Sequence, residues 1–494
     1  MVPPPSPLQQ FRAKTFRQRI HPRELMLLWI VGTQLVLLPW ALGGMPLWSQ
    51  LVSLALSLAA FAVALLPRDY DETTAPGQAP FRLYTGPRLR RFPVFWIGLA
   101  FLGYIAVQAL NPAWIYDTDG NGWWMQATEP IRWLPSGVDV PFTRGGPWRM
   151  LIIYASVWLT VCAAWIGFTR RHSFLILFTA LATNAFLLAG LGIAERGLGA
   201  DKIFWLWKPP AGYFVSSFIY KNHAGAYFDL VLSLCAGLAY WHYERSQRRL
   251  DKSSPSGLFA FFATAVAIIV CFSYSRTATL LMFAFLIVLL AVFLWRQFAH
   301  PVGGQRNPLI VFVLLCALGI FVSIGMKSLR IATFVERMTE LRKQLEEPTP
   351  GARMLAAAAT WDLAREKIVT GSGSGSFRFL FPIYQQNYPP IHDDHGRRLY
   401  WEHAHNDYLE VLAEVGLVGA GLVLAALAYA AFCAVKLRVW GNPLALCVLG
   451  GTLLTLIHNA VDFNFYNPAI LTTWWVLLFA TLRWVQLEEL AVKS

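Results

Sequence analysis

The sequence predicts an all-α polytopic membrane protein of about twelve transmembrane helices, with one large helical loop between the ninth and the tenth. Two observations support this fold class. Hydrophobic residues make up 56% of the 494 residues and charged residues only 14%, whereas a soluble globular domain has about 25% charged residues. Apolar stretches approaching the ~20 residues that a helix needs to cross a bilayer recur along the whole chain.

The predicted spans follow one another at short intervals, apart from one long gap. They cover residues 25–43, 48–66, 92–110, 150–169, 173–194, 223–241, 257–274, 277–295, 309–326, 407–435, 443–461 and 468–486. The chain is thereby divided into a tail (1–24), a first set of spans (25–326), a helical loop (327–406), a second set of spans (407–486) and a tail (487–494). No convincing repeat relates the two halves, which disfavours a transporter built from inverted halves.

Basic residues predict the orientation. Outside the long 327–406 segment, which the positive-inside rule governs poorly, Lys and Arg are concentrated in the two tails and the even-numbered connections. Both termini are therefore predicted to be cytoplasmic and the large loop to lie outside. The net charge of +13 reflects this topology, because the basic residues are spread over short loops. We expect membrane lipids as partners and no nucleic acid.

The 327–406 segment is too long and too patterned to be a bare loop. It begins with an apolar stripe of helical spacing, formed by Phe334, Met338, Leu341 and Leu345. A second helix is predicted from residue 353 to about 368. The Gly-Ser run at 371–376 is interpreted as a hinge or connector, because it lacks the lysine of a phosphate-binding loop. Residues 377–384 are expected to form an aromatic surface segment, and the outer loop 111–149 to lie over the membrane interface.

Polar clusters gather on the predicted outer face, where chance would place only about half of them. They lie at 220–223 before the sixth span, at 275–277 between the seventh and eighth, at Arg353, at 403–407 where the tenth span begins, and at 458–462. The candidate site residues in and beside them are Lys221, Asn222, Arg276, Arg353, His403, His405, Asn406, Asp407, Glu410, His458 and Asp462.

The stretch H-A-H-N-D at 403–407 has two interpretations. In the structural one, Asn406 or Asp407 caps a helix and the histidines are solvated. In the functional one, a histidine is the general base for a hydroxyl group, and Asp407 or Glu410 orients its ring. The partial positive charge at the helix N-terminus disfavours the imidazolium, so the ring stays able to accept a proton.

Three basic residues on the same face indicate an anionic ligand. Arg276 ends a span on the side that the positive-inside rule depletes, and this position favours a membrane-level anion. Lys221 and Arg353 are predicted to lie on that face as well. Together they suit a diphosphate, whose charge they neutralise as it develops on a leaving group. Taken singly, each remains open to a topological or snorkelling role.

A metal site has some support but no recognisable spacing. His392, Asp393, Asp394 and His395, with His403 and His405, offer several nitrogen and oxygen ligands. Their spacing matches no zinc motif. All six cysteines lie inside apolar segments, so a disulfide framework or zinc site is not indicated either. We expect no metal and no cofactor.

These polar clusters lie in short motifs that resemble, in the same order along the chain, motifs of the O-antigen ligase/polymerase superfamily. The members of this superfamily are GT-C-type bacterial envelope glycosyltransferases. The strongest resemblance is His405-Asn406 followed by Gly416-x-x-Gly419. The others are F-I-Y-K-N-H-A-G-A-Y at 218–227, S-Y-S-R-T at 273–277, G-A-R at 351–353 with the following Gly-Ser run, and H-N-A-V-D-F at 458–463. Lys221 departs from the arginine of many relatives and offers a point charge in place of a two-pronged fork.

The resemblance implies a multi-pass protein of the bacterial inner membrane with a periplasmic active site. It implies metal-independent, inverting transfer of a glycan from an undecaprenyl-diphosphate carrier to an acceptor hydroxyl. His405 would be the base that activates this hydroxyl, and Arg276 and Arg353 would hold the diphosphate. The acceptor would be another lipid-linked glycan (a polymerase), a lipid A core (a ligase) or a protein serine (an O-oligosaccharyltransferase).

A transporter or flippase for a lipid-linked glycan is the alternative from another functional class. Transport would place ionisable groups near the middle of the bilayer. The charged groups here lie mostly at the outer ends of the predicted spans. The sequence therefore favours the enzyme.

Overall fold

The computed structural model describes residues 20–70, 80–120, 122–210, 214–251, 253–299, 351–391 and 400–493. Helices dominate these residues. In chain order they are α1 (Pro22–Trp40), α2 (Leu47–Leu65), α3 (Gly86–Arg90), α4 (Pro93–Leu110), α5 (Pro147–Gly167), α6 (Arg171–Gly197), α7 (Lys221–Arg249), α8 (Ser256–Phe272), α9 (Arg276–Ala299), α10 (Ala352–Glu366), α11 (Phe377–Gln385), α12 (Asp407–Lys436), α13 (Pro443–His458) and α14 (Pro468–Lys493).

The helices confirm the predicted multi-pass architecture in its coarse form. Within the described residues, nine helices are long and apolar enough to cross a membrane. Each predicted span in this part of the chain coincides with a helix, but α8 and α13 are shorter, with 17 and 16 residues. The predicted ninth span and the stripe at 334–345 lie outside the described residues. The total of twelve spans, the orientation and the limits of the outer loop therefore stay predictions.

The prediction of an all-α chain is wrong in detail, because the described residues include two small sheets. Strands β1 (Arg68–Tyr70) and β2 (Phe81–Leu83) pair antiparallel. Strand β3 (Pro112–Thr118) lies between β4 (Trp123–Ala127), antiparallel with Trp114 opposite Ala127, and the parallel β5 (Gly137–Asp139). The turn-forming residues Asp119 and Gly120 lie between β3 and β4, and alternating aromatic residues flank them, which is a hairpin signal.

The second sheet and α11 form a small core together. Phe379 of α11 makes edge contacts with Tyr116 and Trp123, with ring centroids 6.2 and 5.9 Å apart. Phe377 and Phe381 are 1% and 0% exposed. The expected aromatic surface segment at 377–384 is therefore a buried helix, because loop 111–149 folds into strands that cover it.

Helix α12 is broken at Gly416, whose φ of 60° and ψ of −169° are not helical. The segment before α11 enters the break: Leu417 N donates to Ile368 O at 2.8 Å, and Gly373 N donates to Glu414 O at 2.8 Å. Gln108 of α4 donates to the carbonyls of Thr370 and Glu414, each at 3.0 Å. The Gly-Ser run is therefore fixed between α4 and α12, as a connector and not as a hinge.

The ends of the long helices lie at two opposite ends of the bundle. The first residues of α7, α9 and α12 lie at one end of the bundle, beside the connection between α13 and α14. Asp407 N donates to Asn459 O at 3.0 Å across this end. Close packing there depends on Gly225 of α7, where a Cβ atom would come within 2.6 Å of the Cβ of Ala278 in α9. This end carries the candidate site.

Candidate active site

The candidate base, His405, has an unusual backbone. Its φ is 54°, in the left-handed region that a residue with a side chain rarely adopts. Such a conformation costs about 1–3 kcal/mol and persists where the surroundings impose it. The ring is held edge-on by Trp401 and Phe463, at centroid distances of 5.7 and 5.0 Å. The side chain remains 23% exposed, so a substrate can reach it.

Asp462, from the connection between α13 and α14, lies beside this ring. Its Oδ1 is 3.6 Å from His405 Nδ1, and its side chain is 2% exposed. Phe463 N donates to Oδ1 at 3.0 Å, and Asn222 Nδ2 donates to Oδ2. Burial raises the pKa of Asp462, but the nearby His405, His223 and His458 outweigh it, so the net pKa is lowered. Asp462 is therefore ionised and fixed in place near neutral pH.

The second histidine of the motif is in a different environment. His403 Nδ1 lies 2.7 Å from Glu410 Oε1, and Ala404 N donates to Glu410 Oε2 at 2.7 Å. Burial, assisted by the positive charge of Arg378, lowers the pKa of His403 to about 3. His403 is therefore neutral near neutral pH, and its Nδ1 shares one hydrogen bond with the Glu410 carboxyl group. The expectation that Asp407 or Glu410 orients the base is wrong for His405, whose neighbouring carboxylate is Asp462.

Three further predicted site residues, Asn406, Asp407 and His458, are buried or bonded at the edge of the site. Asn406 is the N-cap of α12 and accepts hydrogen bonds from Tyr408 N and Leu409 N, both at 3.1 Å, as the structural interpretation of the motif predicted. Asp407 Oδ2 accepts from Phe465 N at 3.0 Å, which fastens the α13–α14 connection to the start of α12. His458 is 1% exposed and lies within electrostatic range of Asp462. These contacts position the site and leave His405 as its accessible histidine.

Phe463 joins the parts of the site, although sequence analysis did not single it out. It stacks on Tyr220 and His403, with ring centroids 5.2 and 4.5 Å apart, and meets His223 and His405 edge-on at 4.9 and 5.0 Å. His223 Nε2 lies 3.3 Å from its carbonyl oxygen. Phe463 ends the motif H-N-A-V-D-F at 458–463, but the motif does not show that its ring joins these residues.

The predicted cations lie near one another, at the starts of three helices. Lys221 and Arg276 are the first residues of α7 and α9, and Arg353 lies in the first turn of α10. The charges of Arg276, Arg353 and Arg196 all act on Lys221. Burial and the charge of Asp462 raise the pKa of Tyr220, whereas the charge of Arg353 lowers it. Arg353 therefore also lies near Tyr220. Helix N-termini add partial positive charge to the same place.

Arg196, at the end of α6, is a basic residue that sequence analysis did not include. Its guanidinium lies over the ring of Tyr274, 5.2 Å from the centroid. Arg276 and Arg353 are exposed, and Lys221 is half-buried. The group is therefore open to an anionic ligand. Tyr274, with a φ of 55°, makes the turn that starts α9 at Arg276.

A cavity of about 200 Å³ is lined in part by His403 and by several polar side chains. Its walls include Glu410, Glu414, Tyr466 and the ion pair between Arg378 and Glu402, whose atoms are 2.8 Å apart. Tyr466 donates to Glu414 Oε2 at 2.8 Å, and its ring is 4.5 Å from that of His403. The cavity is large enough for a sugar ring and offers it several hydrogen-bonding partners.

The possible metal ligands at 392–395 lie outside the described residues. Among the residues that are described, no group of three or more His, Cys, Asp or Glu side chains is arranged to hold a metal ion.

The model of a family described as O-antigen ligase matches residues 259–424. A search of curated proteins finds no match. The matched third of the chain holds Arg276, Arg353, His403, His405 and Glu410, while Lys221 and Asp462 lie outside it. This match supports the resemblance of the motifs to the O-antigen ligase/polymerase superfamily over this part of the chain.

Proposed function

We propose that this protein is a membrane glycosyltransferase that moves a glycan from an undecaprenyl-diphosphate carrier to an acceptor hydroxyl on the periplasmic side. The match of residues 259–424 to the O-antigen ligase family supports membrane glycan transfer of the ligase or polymerase type. The specific reaction is supported mainly by the hydrogen bond that connects the segment of Lys221 to the carboxylate beside His405. Asn222, next to Lys221 in the chain, donates to Asp462, which stands beside His405.

In the proposed reaction, Nε2 of His405 takes the proton of the acceptor hydroxyl, because Nδ1 faces Asp462. The hydroxyl oxygen forms a bond to the anomeric carbon as the bond from that carbon to the diphosphate oxygen breaks. Attack opposite the leaving group inverts the configuration. Asp462 stabilises the imidazolium, and this step needs no metal ion.

The basic residues would stabilise the leaving group. A lipid diphosphate gains negative charge as the bond to the sugar breaks. Arg276 and Arg353 can each offer paired N–H donors to phosphate oxygens, whereas Lys221 offers a point charge. The N-termini of α7 and α9 favour the same charge. A donor held in the bilayer reaches this group directly, because both helices begin at the candidate site.

The test is transfer by the purified full-length protein, with EDTA present, from an undecaprenyl-diphosphate-linked oligosaccharide, and the products are separated on a gel. A ladder of longer lipid-linked glycans indicates a polymerase. Product only after addition of lipid A core indicates a ligase, and product only with a serine-containing protein indicates an O-oligosaccharyltransferase. We expect His405→Ala and Arg276→Ala to abolish the product. The matched control is His172→Ala, an exposed histidine at the start of α6. Transfer that survives both site substitutions refutes the proposal.

One observation favours the transporter as a second candidate. Asp229 lies within α7, is 3% exposed, and neither of its carboxylate oxygens has a hydrogen-bond partner in the described part of the chain. A buried carboxylate inside a span is typical of transport pathways. Movement of the lipid-linked glycan across proteoliposomes that Asp229→Asn abolishes, together with no transfer to any acceptor, would support transport over the enzyme.

A further inference from the structure

A large basic cavity lies at the end of the bundle opposite the candidate site. Its volume is about 810 Å³, and its cationic wall is formed by Arg171, Arg245, Arg248, Arg249, Lys436 and Arg438. Helix α7 begins at the candidate site with Lys221 and ends at the cavity with Arg249. A helix of 29 residues separates the two by about 40 Å. The cavity therefore has no part in the chemistry proposed above.

The positive charge of this cavity is only partly neutralised. Glu244 is paired with Arg248 at 3.0 Å and with Arg296 at 3.2 Å, and Glu488 is paired with Arg171 at 3.1 Å. A third carboxylate, Glu489, also lines the cavity, so three acidic residues are set against six basic ones. The structure records no ion pair for Arg249, Lys436 or Arg438 with any residue that it describes. These three cations are exposed and face one concave space. Such an arrangement favours an anion with several oxygen acceptors.

The surroundings of the cavity favour a lipid headgroup over a soluble anion. The cavity lies where α7, α12 and α14 end and α13 begins, and α7, α12 and α14 are long and apolar enough to cross a membrane. On α12, Phe432 lies one turn before Lys436 and Val435 directly precedes it, and these two side chains are 60% and 64% exposed. Trp440, beyond the end of α12, is 52% exposed, as is typical of a side chain at the membrane interface. An acyl chain can lie against these apolar side chains while its phosphate enters the cavity.

We propose that this cavity binds the phosphate-bearing headgroup of an anionic glycerophospholipid, on the membrane face opposite the candidate active site. Basic pockets between the ends of transmembrane helices bind such headgroups in other membrane proteins. Arg249, Lys436 and Arg438 contact the phosphate, and Arg171, already paired with Glu488, forms one wall.

The test uses delipidated full-length protein in a neutral detergent. Short-chain phosphatidylglycerol is added, and bound lipid is counted by native mass spectrometry while the melting temperature is followed. Phosphatidylcholine of the same chain length is the lipid control, and inorganic phosphate is the soluble control. We expect phosphatidylglycerol to bind and to raise the melting temperature, with at most weak effects of the controls.

Two double variants of equal charge change make the result specific. Arg249→Gln with Arg438→Gln removes two cations of the cavity and should weaken phosphatidylglycerol binding at least tenfold. Arg90→Gln with Arg91→Gln removes two exposed cations elsewhere and should leave binding unchanged. Equal weakening in both variants would show a diffuse surface effect and overturn the proposal. Equal effects of inorganic phosphate and phosphatidylglycerol would show a soluble-anion site and overturn it as well.

The readout is lipid binding, so it does not depend on glycan transfer. An inactive protein that still binds phosphatidylglycerol in the cavity leaves this inference intact.

Discussion

The Nδ1 atom of His405 lies 3.6 Å from Oδ1 of Asp462. His405 precedes α12 in the chain, and Asp462 follows α13. This distance is slightly longer than a hydrogen bond, as is common for catalytic pairs without bound substrate. The aspartate is already held by Asn222 and by Phe463 N. The pair is therefore arranged to become an ion pair when His405 takes up a proton.

The first prediction concerns Asp462→Asn, which keeps the shape of the side chain and removes its charge. We expect kcat to fall about 10²-fold or more, because the imidazolium formed during transfer loses its counter-charge. KM should change little, since Asp462 is buried behind the histidine. The measurement is the steady-state rate of glycan transfer at saturating donor. Asp69→Asn, an exposed aspartate in β1, is the control. An unchanged kcat in Asp462→Asn would exclude its proposed role.

The second prediction separates charge from geometry at Arg276. Arg276→Gln should lower kcat/KM by about 10²–10³-fold, the effect of losing one group that stabilises developing charge. Arg276→Lys should retain part of this activity, because it keeps the charge and loses the paired donors. Transfer rates of both variants, measured at two salt concentrations, give the comparison. Equal loss of transfer activity in Arg276→Lys and Arg276→Gln would mean that transfer requires the paired N–H donors of arginine and that positive charge alone is not sufficient.

The sequence allowed prediction of the parts of this fold that depend on local composition. Apolar length located each span within the described residues, and the cap at Asn406 follows from its position before an apolar run. The polar clusters were predicted to share a face, and the structure brings together those at 220–223, 403–407 and 458–462. Their pairing depends on tertiary contacts: Asp462 and Asn222 are 240 positions apart. No local pattern shows that this carboxylate, and not Asp407, stands beside His405.

The other missed features have related causes. The strands β3 and β4 lie in a loop whose tryptophans suggested a membrane interface, and that interpretation obscured the hairpin pattern. The aromatic residues of α11 look like surface residues until the sheet that covers them is known. Phe463 contacts four rings of the site, and these rings come from two separate parts of the chain, 220–223 and 403–405.

The third prediction concerns acid stability. Burial lowers the pKa of His403 to about 3, whereas its pKa in the unfolded chain is near 6.5. Between these values the unfolded state binds a proton that the folded state does not. The stabilising contribution is therefore complete above about pH 6.5 and is lost at up to about 1.4 kcal/mol per pH unit as the pH falls towards 3. Denaturation midpoints measured from pH 7 to pH 4 test this.

The control for that experiment compares two histidines. His403→Gln should give a shallower loss of stability on acidification than the unmodified protein. His172→Gln, at an exposed position, should give the same slope as the unmodified protein. If His403→Gln leaves the slope unchanged, His403 is not kept neutral in the folded protein.

The last prediction concerns the break in α12. A Cβ atom on Gly416 would lie 2.4 Å from Val369 O and 2.5 Å from Gly371 N, and the φ of 60° is unfavourable for any residue with a side chain. Gly416→Ala should therefore destabilise the protein by more than about 1 kcal/mol from backbone strain alone. It should also lower transfer activity, because Glu414 precedes the break and the Gly-Ser run is hydrogen-bonded to it.

Gly421 in the same helix is the matched control, since nothing lies within 4 Å of a Cβ atom placed there. Gly421→Ala should be neutral or stabilise the helix by up to about 1 kcal/mol, because alanine is the better helix former. Melting temperatures and transfer rates of the two variants, measured side by side in the same detergent, give the result. Equal stability of Gly416→Ala and Gly421→Ala would mean that the break is not required, and that α12 can run straight past the Gly-Ser segment.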